Sequence, residues 1–203
     1  MSGMLARRLR PALGQGGYAL TELLTVLVIL VIVLGGLTAL FVSATSAEVD
    51  LRERFDAQQE ARLALDALRR EVHCASSMTQ PSSPSATVTI TLPTGCPSGS
   101  GTVTWCTVSV GTNRYRLYRK VGSTCDSAGK PHADYLVPDT TSIDTTPLCG
   151  SPASLCVFEY SAPNATTRAK LKVEFPVDLK PTDPNRAYKL TDALVLRNTS
   201  PTG

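Results

Sequence analysis

One segment constrains this chain more than any other. Leu23 to Val42 reads LLTVLVILVIVLGGLTALFV and holds no charge. About 20 apolar residues wound as an α-helix measure about 30 Å, the thickness of a bilayer's hydrocarbon core. Arg7, Arg8 and Arg10 precede the run, and the positive-inside rule puts that end in the cytoplasm. The apolar core of a secretory signal is about 7–15 residues, so this run is long for one. Thr45-Ser46-Ala47 imitates a small-residue cleavage site and keeps secretion as a rival reading. Arg7-Arg8 ahead of an apolar run also gives a weak twin-arginine export signal. The chain's formal charge of +3, from 20 basic against 17 acidic residues, is too small to argue for nucleic acid. All of that excess lies in residues 1–17, which hold three arginines and no acid.

Glu22 opens the apolar run. A carboxylate inside a membrane costs roughly 2.5–3.5 kcal/mol even on mild insertion scales. A plain anchor gains nothing from it, so either it sits at the interface or it awaits a cation. The stretch Gly16-Gly17-Tyr18-Ala19-Leu20-Thr21-Glu22-Leu23-Leu24 resembles the processing motif of type IV prepilins and type II secretion pseudopilins. The resemblance implies a short basic leader, residues 1–17, removed by a prepilin peptidase after Gly17. It implies N-methylation of the new first residue, Tyr18, where the commoner residue is Phe. It implies that Glu22, the fifth mature residue, pairs with the Tyr18 amine of a neighbouring subunit during assembly. Other pilin or pseudopilin subunits, the peptidase, an inner-membrane assembly platform and the membrane are the partners it names. A single-pass precursor with its N-terminus inside, then an extracytoplasmic filament or the cell surface, is the location it names.

Major pilins of this family carry a proline midway along the apolar helix, and none occurs between Tyr18 and Val42. Gly35-Gly36 is the weak point: a loosening, or a place for close helix packing. Ser43 to Cys74 is rich in Ala, Arg, Glu, Gln and Leu and has neither Pro nor Gly. This predicts one helix from about Leu20 to His73, roughly 80 Å long. Its second half is amphipathic, with Leu51, Phe55, Ala61, Leu65, Leu68 and Val72 near one stripe and Gln58 interrupting it. Arg52, Glu53, Arg54, Asp56, Glu60, Arg62, Asp66, Arg69 and Arg70 form the wet faces.

Short alternating runs follow a Pro/Ser loop at Ser76 to Ser85. Thr87–Leu92, Thr102–Val110, Arg114–Val121, Leu155–Tyr160, Ala169–Phe175 and Tyr188–Arg197 predict about six strands, with a hairpin turn at Gly111-Thr112-Asn113. In Ala169–Phe175, Leu171, Val173 and Phe175 face inward while Lys170, Lys172 and Glu174 face out, the half-solvated antiparallel pattern. The expected class is α+β: a long N-terminal helix, transmembrane in its first half, packed on an antiparallel β head stapled by disulfides. The expected segments are a leader at 1–17, a membrane or filament-core half-helix at 18–42, an amphipathic half at 43–75 and the head at 76–203. Tyr115, Leu117, Tyr118 and Arg119, with the closing Leu196-Arg197-Asn198, resemble the head of PilW-type minor pilins and J-type minor pseudopilins.

Cys74, Cys96, Cys106, Cys125, Cys149 and Cys156 are even in number and contain no Cys-x-x-Cys, which argues for disulfides in an oxidising compartment over zinc. Many pairings are open to six cysteines. Local closure gives Cys149–Cys156, Cys106–Cys125 and Cys74–Cys96. His73 beside Cys74 reads as an accidental neighbour at a helix end. Asp178, Asp183 and Asn185 match no defined calcium loop, so neither metal nor cofactor is expected. Arg114, Arg116, Arg119 and Lys120 beside Tyr115 and Tyr118 leave single-stranded nucleic acid as a minor alternative to a basic wet face. The glycosylation sequons at Asn164 and Asn198 carry little weight. No nucleophile–base pairing, phosphate loop or metalloprotease helix is present, so no enzyme is expected. The filament subunit is the leading reading, and a membrane-anchored or secreted binding module outside any filament is the alternative.

Overall fold

The computed structural model describes residues 19–79, 84–138, 149, 155–179 and 188–198. Two compact units make up the chain, Met1–Val49 and Asp50–Gly203. One element, α1, runs from Leu20 to Cys74. No proline interrupts it, and the leucines and valines on either side carry it through Gly35-Gly36, each glycine costing about 1 kcal/mol of helix propensity. In the first unit the side chains of α1 are exposed from Leu20 through Val49. The helix there is long and apolar enough to cross a membrane.

In the second unit α1 packs on an antiparallel sheet of eight strands: β1 Ser77–Thr79, β2 Thr87–Leu92, β3 Gly101–Gly111, β4 Arg114–Val121, β5 Ala133–Leu136, β6 Phe158–Ser161, β7 Lys170–Val177 and β8 Tyr188–Val195. The order is β1-β2-β3-β4-β5-β7-β6, and β8 also pairs with β7. Residues opposite one another in an antiparallel pair share a face. Val88 faces Trp105, and Ile90 faces Val103. Trp105 faces Arg119, and Thr107 faces Leu117. These side chains meet α1 through Ala57, Ala61, Ala64, Leu65, Leu68 and Val72. Leu171, Val173 and Phe175 of β7 are buried and alternate with more exposed Lys170, Lys172 and Glu174, as the pattern predicts.

The expected stripe needs correcting. Leu51 and Phe55 are 65% and 66% exposed, while Ala57 and Ala64 are buried. At about 100° per residue, Leu51 and Phe55 lie about 80° and 120° around the helix from Ala61. The buried face combines Ala57, Ala61 and Ala64 with Leu65, Leu68 and Val72.

Two strands lie outside the six expected. β1 falls in the stretch read as a Pro/Ser loop, and its Ser77, Met78 and Thr79 pair with Thr91, Ile90 and Thr89. Three residues are too few to show alternation. β5, with four residues, is also short and pairs irregularly with β4. The fourth and last expected runs also differ at their ends: β6 begins at Phe158 and not Leu155, and β8 stops at Val195. Leu155 is instead held by a reciprocal bond with Thr107, whose Oγ1 donates to Leu155 O at 2.6 Å and accepts from Leu155 N at 3.1 Å. The β3–β4 turn falls where expected, with Asn113 at φ 53°, a conformation asparagine tolerates better than most residues.

Three disulfides join Cys74 to Cys96, Cys106 to Cys125 and Cys149 to Cys156. They are the three pairs that local closure gives. The first ties the last residue of α1 to the β2–β3 connection. The second ties β3 to the β4–β5 connection.

Candidate functional site

The processing residues Gly17 and Tyr18, with Arg7, Arg8 and Arg10, lie outside the described residues. Glu22 is described. Its N–H and that of Leu23 donate to Ala19 O at 2.9 and 3.3 Å, and its own carbonyl accepts from Thr25 Oγ1 at 2.9 Å. Glu22 therefore stands in the first turn of α1, exposed, where the helix dipole favours an anion. Unbroken apolar side chains follow it from Leu23 to Leu34 apart from Thr25.

At the other end of α1, four attachments hold the helix to the sheet. Glu71 is 2% exposed. It accepts from Trp105 Nε1 at 2.6 Å and from Arg119 Nε at 2.7 Å. Arg119 also donates to Ser98 O at 3.2 Å. A buried charge needs a close opposite charge and hydrogen-bonded oxygens, and Glu71 has Arg119 as the first and one donor on each oxygen as the second. Arg69 bridges Asp66 on its own helix and Asp192 on β8. Arg62 reaches the Tyr188 hydroxyl. Asn198 donates through Nδ2 to Cys74 O at 2.9 Å and so caps the helix end. His73 faces this junction, and its neighbour Cys74 is consumed by a disulfide, so the pair is no ligand set.

The basic–aromatic run of β4 is split by the pleat. Arg119 points to the helix side and pairs with Glu71, which removes it from the expected wet face. Arg114, Arg116 and Lys120 alternate to the opposite side with Tyr118. Lys120 pairs with Asp126 and donates to Ala128 O. Arg114 and Arg116 both bind Asp134. Hydrogen bonds from Arg114, the Tyr135 N–H and Arg116 outweigh burial and hold the Asp134 carboxyl below its ordinary value. Burial pushes both His132 and His73 below theirs, helped by Arg119 at His132 and by Arg197 at His73. His132 rests against the Trp105 ring, centroids 4.9 Å apart.

Asp183 and Asn185 lie outside the described residues, and Asp178 is buried. Among the described residues no three His, Cys, Asp or Glu gather as a metal site. Sequence reasoning missed Glu71 and Asp134. Glu71 lies three residues after Leu68 and one before Val72, on the buried stripe itself, and that position was its signal. Asp134 sits in a strand too short to be recognised.

No family model matches the chain, and no curated protein or solved structure matches it.

Proposed function

We propose that this chain is the precursor of a filament subunit, of the kind found in type IV pili and type II secretion pseudopili, in the style of a minor component. The observation that carries the reading is the single unbroken helix from Glu22 onward. It begins with a lone carboxylate at the head of a bare apolar stretch. It ends as the packed face of a disulfide-bearing sheet unit. A bare apolar helix asks for lipid or for other helices, and a carboxylate at its start asks for a cation. Cleavage after Gly17 supplies that cation as the Tyr18 amine of the next subunit. In a low-dielectric filament core an unpaired Glu22 is penalised, so charge neutralisation and apolar packing together set the register. Before assembly the same helix anchors the precursor in the cytoplasmic membrane, with the head on the oxidising side where its disulfides form.

Intact-mass analysis of the chain from cells with a prepilin peptidase tests this directly. The mature protein is expected to begin at Tyr18 and to carry one methyl group. Glu22→Ala is expected to be cleaved normally and to remain in the membrane without entering filaments. A mature chain starting near Glu48, or filament incorporation undiminished by Glu22→Ala, overturns the reading.

A further inference from the structure

The second unit carries a feature that its packing does not require. Arg114 and Arg116 lie two residues apart on β4 and share one face, so two guanidinium groups stand side by side. Among the described residues Asp134 is the one carboxylate that pairs with both. Arg114 grips it with Nε at 3.1 Å and Nη2 at 2.8 Å, and Arg116 with Nε at 2.8 Å. Asp134 reaches both because β5 is bulged. Tyr115 pairs with Leu136 and Leu117 with Ala133, so β5 spends one residue more than β4 over the same span.

The extra residue is absorbed at Tyr135, which has φ 59°. A bulky residue in the left-handed region is an outlier, and such strain costs about 1–3 kcal/mol. It persists because Tyr135 is held on every side. Its N–H donates to Asp134 Oδ1 at 2.6 Å, its carbonyl accepts from Asp178 N at 3.0 Å, and the Arg114 guanidinium stacks 4.0 Å from its ring centroid. Bulges of this kind re-aim side chains. Here the bulge sets two arginines against a single carboxylate among the described residues.

We propose that Arg114 and Arg116 form an oxyanion-binding site on the head, for a carboxylate or phosphate group presented by a partner. The two side chains are 36% and 35% exposed, whereas Asp134 is 14% exposed. Arg114 Nη1 and the terminal amino edge of Arg116 reach no carboxylate among the described residues. Those outward edges match a planar oxyanion in the forked manner that lysine does not reproduce. The bidentate grip on Asp134 and the Tyr135 ring fix the Arg114 plane before any ligand arrives, and a single Nε bond to Asp134 holds Arg116, which lowers the ordering cost of binding. The site stands on the head alone and does not depend on the filament reading.

The Nε–Hε groups of both arginines donate to Asp134 and report binding at the adjoining Nη edges of the same guanidinium groups. The full chain in detergent micelles is titrated by nitrogen–proton NMR with inorganic phosphate in one arm and an oligoglutamate peptide in the other. Saturable shifts at Arg114 and Arg116, absent at Arg52 and Arg168, are expected. The arm that saturates at lower concentration identifies phosphate or carboxylate as the ligand. Arg116→Lys, which keeps the charge, is expected to weaken binding several-fold. Tyr135→Gly, which relieves the strain and so preserves folding, is expected to weaken it too. Linear shifts of equal size at all arginines, or saturable binding unchanged in Arg116→Lys, overturn the proposal.

Discussion

Glu71 shows how much one buried charge can hold. It bridges the only tryptophan, Trp105, and Arg119, so helix and sheet meet through it. Removing one partner of a buried pair strands the other charge, which costs about 3–5 kcal/mol. Glu71→Ala is therefore expected to lower unfolding free energy by that amount, with Glu71→Gln losing less because it still accepts from the indole. Urea unfolding followed by Trp105 fluorescence measures both, and a loss under about 1 kcal/mol for Glu71→Ala contradicts the arrangement. The two histidines set a pH dependence. Both have folded pKa values below the ordinary 6.5, so the unfolded chain binds protons first as pH falls. Stability is full above about 6.5 and is lost as pH drops through the folded values. The urea midpoint should decline over that window, and His132→Gln should flatten the decline. Asp134 and Glu174, held below the ordinary 3.8 and 4.5, add a second loss at lower pH.

The amphipathic half of α1 separates two kinds of leucine and phenylalanine. Leu68 is fully buried and Phe55 is 66% exposed, though both lie on the same helix. Leu68→Ala should cost about 2–5 kcal/mol by emptying a packed site. Phe55→Ala should change stability by no more than about 0.5 kcal/mol, since its side chain is mostly exposed. Chemical denaturation of the two variants in parallel decides whether Phe55 belongs to the packed face that Leu68 shares. The disulfides rank by the same reasoning. Cys74–Cys96 spans 22 residues and Cys149–Cys156 spans 7. Loop-closure entropy assigns about 3 kcal/mol to the first and about 2 kcal/mol to the second. Replacing each pair by serine should therefore lower the melting temperature more for Cys74–Cys96, as differential scanning calorimetry can resolve.

For the molecule as a whole, the apolar stretch at the start of α1 is long and apolar enough to cross a membrane. Ile32 lies near its centre and is 68% exposed. An arginine there carries an insertion penalty of about 2.5–3.5 kcal/mol. If this helix spans a membrane, Ile32→Arg should shift the chain out of the carbonate-resistant membrane fraction, while the parent chain stays in it. Fractionation with a head-directed antibody reads the difference. Equal membrane retention of the two chains would mean that this helix is not what anchors the protein.

Local chemistry made several features legible without any structure. The apolar run, the absence of proline from Leu20 to Cys74 and the period-2 runs Thr87–Leu92, Arg114–Val121 and Ala169–Phe175 depend on neighbours in sequence, and all reappear as α1, β2, β4 and β7. The disulfide pairs were reachable because each links nearby segments. Burial is different, because it is decided by what lies across from a residue. Sequence put Leu51 and Phe55 on the packed face by size and Arg119 on the wet face by charge. The tertiary structure chose alanines for the first and a buried partner, Glu71, for the second. β1, β5 and the bulge at Tyr135 were invisible for the same reason: their three or four residues become strands only through partners supplied by β2, β4 and β7. Periodicity and composition by themselves determined which segments form regular structure, because backbone preferences are local. Only the folded chain decided which charges are paired and which remain turned outward, because electrostatic partners meet across distances that no sequence window spans.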